Sequence, residues 1–525
     1  MLGTATLGAA PPAHRRVSLR NGAYPRWRVS PPPHGRSRPV TVPRSHQEDP
    51  LLERLYDEDL SQASYLVACQ DSGKALVVDL RRDFADYLDL ARHHGLRIVA
   101  VTETHVHADS LSGTRELAAA TGATAYASGE GGEDWQYDYP AERLQDGDTI
   151  ELGAVTITAR HAPGHTPEHL LFLITDTAFA PSPGYLLSGD FVFAGDLGRP
   201  DLLEEAAGMQ DTRFEGARQL FASLRDVFLS LPDHVQVLPG HGAGSACGKA
   251  LGAVPSTTVG YERSFAWWAP HLAADDEQGF VDELLDGQPD AHAYFGRMKR
   301  QNVLGPALLG ERTLPRRVDA SEISSGMASG AIALVDTRPV AAVHEGMVPG
   351  ALSIPAPGKA ASHIGWAFDP ESDDAEIIVR APDAETAARI QDHLVRVGID
   401  ALAGYVTSLE GLEQSVPQRV SPADLEQLRT SRPDAVLLDV RNKSEHSAGS
   451  IPGAQQLSAG RALFHRDQLA APTEGAVIAF CQSGLRASVA ANALRRVGHE
   501  VIEVDGSYAG WSRWQQEEKD APARA

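Results

Sequence analysis

Four short polar motifs, each following an apolar strand-like run, constrain this chain more than any other feature. In chain order they are HVHAD (105–109), HAPGHTPEH (161–169), LLSGD (186–190) and LPGHG (238–242). A single histidine would more often be a surface residue or a satisfied core group. Four motifs at strand ends instead favour a metal site, because histidine and carboxylate side chains are common ligands of divalent metals.

Length and composition narrow the class of protein. A chain of 525 residues is too long for one ordinary core and favours about three domains. The charge balance of 47 basic and 70 acidic residues, 47 − 70 = −23, argues against nucleic acid as a main partner. No apolar run approaches the length of a membrane span, so no membrane partner is expected. The three cysteines, Cys69, Cys247 and Cys481, are far apart and form no disulfide framework, which favours a reducing cytoplasm.

The first 45 residues differ from the rest of the chain. Residues 1–44 contain eight arginines, eight prolines and no acidic residue. Such a segment buries too little apolar surface to offset its ordering entropy, and we expect residues 1–45 to form a disordered basic tail.

The C-terminal half contains an internal repeat. AIALVDTRPVAAVHEGMVPGA (331–351) aligns with DAVLLDVRNKSEHSAGSIPGA (434–454), and a shared RVG follows in each unit. Counting back from this RVG places Ala381 opposite Cys481 and Thr386 opposite Arg486. The repeat therefore predicts two similar α/β units, of which only the second has a candidate nucleophile.

The segment CQSGLR (481–486) has the features of a reactive cysteine loop. The apolar run AVIAF ends at Cys481, and a short loop and a helix follow. Loop amides and a helix N-terminus favour a thiolate, and Arg486 adds positive charge. A thiolate held in this way can attack a sulfane sulfur and carry it as a persulfide. The alternative, an inert buried cysteine at a strand end, does not explain the glycine and the arginine.

This second unit resembles the rhodanese family of sulfurtransferases over residues 418–518. The shared motifs are DVR (439–441), GSIPGA (449–454), CQSGLR and DGSYAGW (505–511). The resemblance implies that Cys481 and Arg486 are catalytic. The first unit, residues 316–413, resembles an inactive rhodanese without the nucleophile, and we expect its role to be structural.

The four strand-end motifs resemble the metallo-β-lactamase fold over residues 46–312. The fold class expected for the chain is therefore α/β, an αββα sandwich followed by two rhodanese-like domains. In that fold the histidines and aspartates of the four motifs gather at one edge of the sandwich. The residues concerned are His105, His107, Asp109, His165, Asp190 and His241.

Ser110 bears on the number of metals. Members of the fold with two metals have a histidine there, and without it Asp109, His107 and His241 become vestigial positions. His105, His165 and Asp190 form a two-histidine, one-carboxylate set that suits non-haem Fe(II) with open positions. We therefore expect one iron per chain.

Within the fold, the motifs THVHADSLSG, APGHT and SGDFVFAGDLGRPDL resemble those of persulfide dioxygenases. The resemblance implies Fe(II) ligation by His105, His165 and Asp190 and contact of Thr166 and Arg199 with a thiol substrate. It implies oxidation of a low-molecular-weight thiol persulfide by O₂ to sulfite, and exchange of sulfite plus persulfide with thiosulfate at Cys481. A cytoplasmic homo-oligomer that detoxifies sulfide and persulfide is the expected context.

Two other functions remain open. A glyoxalase-type thioester hydrolase shares the fold but depends on a binuclear metal centre. Ser110 argues against it, whereas retention of His107, Asp109 and His241 argues for it. A non-enzymatic sulfur-relay scaffold is the second alternative, and the complete site motifs argue against it. Cys247, six residues after His241, is interpreted as a small structural cysteine.

Overall fold

The computed structural model describes residues 51–520 except 203, 205–211, 250, 311, 357, 401 and 471–475. The tail expected at residues 1–45 lies outside the described residues. No helix in the described part of the chain combines the length and the apolar character needed to cross a membrane.

The N-terminal domain contains two six-stranded sheets. The first has the order β1-β2-β3-β4-β5-β6 and the second the order β12-β11-β10-β9-β8-β7. The strands are β1 Leu51–Asp57, β2 Gln62–Cys69, β3 Lys74–Val78, β4 Arg97–Thr102, β5 Thr124–Ser128, β6 Glu142–Leu144, β7 Thr149–Glu151, β8 Val155–His161, β9 Leu170–Asp176, β10 Tyr185–Gly189, β11 Gln236–Pro239 and β12 Thr257–Thr258.

Helices cover the outer faces of both sheets, and a core fills the space between the sheets. Val67 and Leu76 of the first sheet lie in one apolar cluster with Ile157 and Phe172 of the second. All eight residues of β2 are buried, as expected for a strand covered on both faces. The helices are α1 Ala85–His94, α2 Thr114–Thr121, α3 Thr212–Asp226, α4 Val259–Phe265, α5 Ala269–Ala274, α6 Glu277–Leu285 and α7 Phe295–Leu304.

Two units with parallel sheets follow, and they share one strand order. The middle unit has the order β14-β13-β15-β16, and the C-terminal unit has the corresponding order β19-β18-β20-β21 with β17 added at the edge. The strands are β13 Ile332–Asp336, β14 Leu352–Ser353, β15 Glu376–Arg380, β16 Leu402–Val406, β17 Arg419–Val420, β18 Val436–Asp439, β19 Gln455–Gln456, β20 Ala476–Phe480 and β21 Glu500–Val504. The helices are α8 Ala320–Ser329, α9 Val340–Glu345, α10 Ala360–Ala367, α11 Ala384–Val395, α12 Leu425–Ser431, α13 Lys443–Ala448, α14 Ala459–Ala462, α15 Leu485–Arg496 and α16 Ser507–Asp520.

The repeated Asp-x-Arg motif has the same role in both units. Arg338 Nη2 lies 2.6 Å from Asp336 and donates to the carbonyl of Gly346 at 2.7 Å. Arg441 Nη2 lies 2.7 Å from Asp439 and donates to the carbonyl of Gly449 at 2.7 Å. The motif therefore closes the same loop twice, which explains why it repeats in the sequence.

The middle unit is anchored to the N-terminal domain by buried charges. Arg396, at the end of α11, lies 2.5 Å from Asp57 and 2.7 Å from Asp83. Burial opposes ionisation of Asp83, but the guanidinium groups of Arg396 and Arg81 hold the pKa of its carboxyl below the usual range. Removing one partner of such a pair leaves a buried charge uncompensated, so the contact fixes how the two domains are docked.

The three domains also share one apolar core. Leu111 of the N-terminal domain, Ile364 of α10 and Ala490 of α15 belong to the same cluster of buried residues. The middle unit contributes to this cluster along α10, whose eight residues are all buried. This packing supports the structural role expected for residues 316–413.

Candidate active sites

The loops that follow β4, β8 and β10 bring His105, His165 and Asp190 together. One ligand atom from each of the three residues lies within 4.8 Å of the others, and all three residues are buried. Asp190 Oδ2 is 3.7 Å from His165 Nε2 and 3.9 Å from His105 Nε2. This oxygen is buried and has no hydrogen-bond partner among the described residues. A buried carboxylate oxygen facing two imidazoles is the arrangement that a metal ion would satisfy.

Hydrogen bonds outside this set orient the two imidazoles. His165 Nδ1 is 2.9 Å from the carbonyl oxygen of Arg199, which can only accept, so Nδ1 carries the proton. His105 Nδ1 is 2.9 Å from Thr104 Oγ1, whose hydroxyl donates to Asp79 at 3.0 Å. Both rings therefore present the lone pair of Nε2 to the site, as metal-binding histidines do.

The charge states of the set also suit a cation. Burial lowers the pKa of His105 well below its ordinary value and lowers that of His165. Burial would raise the pKa of the Asp190 carboxyl, but His241 and His105 hold it well below its usual range. The site therefore offers two neutral imidazoles and one carboxylate at neutral pH.

The three positions expected to be vestigial are paired with one another or with other protein groups. His241 lies between two carboxylates, with Nδ1 2.6 Å from Asp190 Oδ1 and Nε2 3.0 Å from Asp109 Oδ2. Burial opposes its charge, yet Asp190 and other neighbours raise the pKa of His241 well above its ordinary value. His107 Nε2 is 3.2 Å from Asp79 Oδ1, and this bond outweighs burial and raises the pKa of His107 to about 9.

Ser110 and Cys247 complete the surroundings of this second position. The Ser110 hydroxyl donates to Gln62 Oε1 at 3.4 Å. Cys247 was interpreted from the sequence as a small structural cysteine, but its sulfur lies within 4.8 Å of ligand atoms of Asp109 and His241, and these three residues form a second group that could hold a metal ion. Burial raises the pKa of the Cys247 thiol to about 12, so the group is protonated at neutral pH.

The two residues expected to contact substrate are both buried beside His165. Thr166 follows this ligand directly and is 6% exposed. Arg199 Nε donates to Asp201 Oδ1 at 2.7 Å, and its Nη1 donates to the carbonyl oxygen of Pro289 at 2.5 Å. The Arg199 guanidinium is therefore engaged with protein groups, while its carbonyl orients His165; contact with a thiol substrate stays a prediction.

The Cys481 loop forms the second site. Gly484 adopts a left-handed φ of 111°, and its N–H donates to Cys481 Sγ at 3.1 Å. Ser507 Oγ lies 4.0 Å from the same sulfur, and Arg486 forms two bonds of 2.7 and 2.8 Å with Glu445. The amide and the adjacent N-terminus of α15 supply the cradle that the sequence predicts around the thiolate.

One cavity extends from the Cys481 site to Asp109, close to the candidate metal ligands. It has a volume of about 330 Å³, and its lining includes Asp109 as well as Cys481 and Arg486. Asp109 is bonded through His241 to Asp190, so the cavity wall is one histidine away from the candidate metal ligands. Its remaining lining includes His292 and, from the middle unit, His363 and Trp366. We call this cavity the chamber. The sequence motifs did not indicate these three residues, because none lies in a motif that repeats or ends a strand.

The corresponding loop of the middle unit is closed by a carboxylate. Ala381 is buried where Cys481 stands in the other unit, and the Asp383 side chain accepts from the N–H of Thr386 at 2.7 Å. This carboxylate caps the N-terminus of α11, so it occupies one of the free amides of the helix that follows this loop.

Placing a cysteine at Ala381 should therefore give no sulfurtransferase activity. In a Cys481→Ser background, we expect Ala381→Cys to show no transfer of sulfur from thiosulfate to a thiol above the background rate. Measurable transfer would contradict this expectation and would show that the loop kept its anion-binding geometry.

Comparison with known proteins assigns a family to the N-terminal domain and to the C-terminal unit. The family model described as the metallo-beta-lactamase superfamily matches residues 57–241. The crystal structure of a metallo-beta-lactamase from Staphylococcus aureus is 35% identical, with a TM-score of 0.59, and the match covers 68% of this chain and 98% of that one. The chain belongs to the metallo-β-lactamase superfamily. The rhodanese-like domain model matches residues 421–513, so the chain joins a metallo-β-lactamase domain to a rhodanese-like domain, as its motifs predicted.

Relatives of the metallo-β-lactamase domain include two kinds of enzyme. The mitochondrial persulfide dioxygenase of Bos taurus is 27% identical over 195 residues, which is 36% of this chain and 68% of the relative. The hydroxyacylglutathione hydrolase of Nitrosococcus oceani is 29% identical over 238 residues, which is 45% of this chain and 81% of the relative. Persulfide dioxygenases are thus among its homologues, and the identities alone do not choose between oxidation and hydrolysis.

Proposed function

We propose that this chain oxidises a low-molecular-weight thiol persulfide with O₂ to sulfite at one Fe(II), and that Cys481 interconverts sulfite plus persulfide with thiosulfate. The observation that carries the proposal is that one chain holds a buried two-histidine, one-carboxylate set and a cradled cysteine. The chamber beside that cysteine is lined by Asp109, which His241 connects to the metal set. We further propose that residues 316–413 are a second, inactive rhodanese-like domain, because they share strand order and the Asp-x-Arg bonds with the active one. A cytoplasmic homo-oligomer remains our expectation for its context.

The donor set fits iron better than the alternatives. His105, His165 and Asp190 would hold Fe(II), and the ion would supply the redox chemistry that zinc lacks. The overall reaction, RSSH + O₂ + H₂O → RSH + SO₃²⁻ + 2 H⁺, balances without a further reductant. The protein's own part is to fix both imidazoles through Thr104 and Arg199 and to bury the site, which excludes side reactions.

The hydrolase is the second candidate function. It is supported by the hydroxyacylglutathione hydrolase of Nitrosococcus oceani, because the match covers 81% of that relative and only 68% of the persulfide dioxygenase. Hydrolysis of this kind uses a binuclear centre, whereas Ser110 here donates to Gln62 and His241 is bonded to two carboxylates. Ser110, where binuclear members have a histidine, favours a single metal, whereas Asp109, His241 and Cys247 supply three ligand atoms that a second metal would use. A purely non-enzymatic sulfur scaffold would not need the buried, unpartnered oxygen of Asp190.

One set of measurements on the full-length protein separates these functions. After anaerobic loading with Fe(II), we expect about one iron per chain and oxygen uptake that depends on an added persulfide such as glutathione persulfide. Two tightly held zinc ions, with thioester hydrolysis and no oxygen uptake, would instead establish the hydrolase. Absence of any activity together with sulfur bound on Cys481 would favour the scaffold.

A further inference from the structure

The acidic groups of the chamber are already satisfied by protein partners. Asp59 accepts from the N–H of Ala361 at 2.6 Å and lies 2.8 Å from His393 Nδ1. Asp109 pairs with His241, and Asp290 accepts from Gln456 Nε2 at 3.0 Å and lies 2.7 Å from Lys443 Nζ. These carboxylates therefore repel an entering anion less than their number suggests, because a neighbouring protein group offsets the negative charge of each one.

Two histidines of the chamber, in contrast, keep unused hydrogen-bonding capacity. His363 is 4% exposed, and its Nδ1 has no hydrogen-bond partner among the described residues. The same is true of Nδ1 of His292. Trp366 stands between them, with ring centroids 4.7 Å from His363 and 5.2 Å from His292. A buried polar atom without a partner is uncommon in proteins and points to a ligand that completes it.

These rings line the chamber together with Asp109 and Arg486. Asp109 and His363 both lie close enough to His292 to affect its pKa, and Arg486 lies close enough to affect the pKa of His363. Burial lowers the pKa of both imidazoles to about 4, so each is neutral at pH 7 and can donate one N–H. Two positively charged side chains also line the chamber. Arg486 is shared with Glu445, and Lys359 Nζ donates to the carbonyl oxygen of Asp59 at 2.6 Å.

We propose that His363, supplied by the unit that lacks a nucleophile, binds sulfite in the chamber and positions it toward persulfidated Cys481. The proposal rests on the function proposed above, in which sulfite forms at the metal site. It gives the middle unit a part in the reaction beyond packing. His363 is a positioning residue here, with His292 and Trp366 forming the wall beside it.

The transfer step balances in atoms and charge. The sulfur lone pair of sulfite attacks the outer, sulfane sulfur of Cys481–S–S⁻. The new S–S bond of thiosulfate forms as the bond to Sγ breaks, and the electron pair of that bond remains on Sγ as the thiolate. No oxidant or reductant is needed, because the sulfane sulfur passes unchanged in oxidation state from cysteine to sulfite.

The test measures thiosulfate formation from glutathione persulfide and added sodium sulfite without O₂, so that the metal site takes no part. His363→Phe keeps a ring against Trp366 but removes the N–H. We expect it to raise KM for sulfite about 10-fold or more, as loss of a hydrogen bond to a charged ligand does, with kcat changed far less. His363→Asn, which restores a donor, should recover part of this loss. Loading of Cys481 by persulfide, followed by mass spectrometry, should be unchanged in both variants.

A matched control is available in the rhodanese-like domain. His499 is also buried and has an unpartnered Nδ1, but it does not line the chamber, and His499→Phe should leave KM for sulfite unchanged. An unchanged KM in His363→Phe with normal Cys481 loading would overturn the proposal, as would an equal rise in His499→Phe. If His363→Phe fails to fold, His363→Leu and His363→Asn replace it. An unchanged KM for sulfite in His363→Leu, or a KM in His363→Asn higher than in His363→Leu, would also overturn the proposal. This assay needs no oxygen uptake, so it stands or fails separately from the dioxygenase proposal; with O₂, His363→Phe should release free sulfite where the wild type forms thiosulfate.

Discussion

Replacing His165 with alanine should remove iron from the protein and abolish persulfide-dependent oxygen uptake. Loss of a group that only orients a ligand reduces metal affinity by about 10- to 100-fold, and loss of the ligand itself should reduce it further. The remaining partners, His105 and Asp190, would leave two donors for the ion. Iron content by elemental analysis and oxygen uptake with an electrode measure the result, and His105→Ala and Asp190→Ala should behave alike.

An exposed histidine of the same domain supplies the control. His234 lies outside the site and is exposed, so His234→Ala should keep full iron content and oxygen uptake. The His165→Ala protein should still transfer sulfur through Cys481, which verifies that the chain is folded. Retention of one tightly held iron and normal oxygen uptake in His165→Ala would show that the ligand set has been assigned wrongly.

Cys481→Ser should abolish sulfur transfer between thiosulfate and a thiol while leaving oxygen uptake with supplied persulfide intact. A serine hydroxyl cannot carry a sulfane sulfur, whereas the metal ligands lie in another domain and keep their contacts. Sulfite should then accumulate in place of thiosulfate. Both products are measured in the same reaction by derivatisation and chromatography, and the decisive quantity is their ratio.

Cys69 provides the matched cysteine control for this experiment. It is buried in β2, far in sequence from either site, and Cys69→Ala should leave both activities and the product ratio unchanged. If Cys481→Ser also stopped oxygen uptake, the two sites could not be working as separable modules. The chamber would then have to be interpreted as one catalytic unit.

Much of the fold could be predicted from local patterns. Apolar runs that end at polar motifs became β4, β10 and β11. The repeat was visible because each unit uses the same Asp-x-Arg bonds to close the same loop. These features are encoded within a few residues, so they do not depend on how the domains are docked.

The sequence by itself indicated the residues of the two proposed sites. Side chains that follow a strand are positioned by it, and a cysteine between a strand and a helix is positioned by both, so His105, His165, Asp190 and Cys481 could be proposed from strand-end motifs and from their resemblance to known families. Only the tertiary structure decided that Asp109 and Cys481 line one cavity, that His241 bridges two carboxylates, and that His363 enters the chamber. These contacts join residues more than 50 positions apart through domain packing, such as the bonds of Arg396 to Asp57 and Asp83. No local period or motif records such packing, because it depends on the complementarity of complete surfaces.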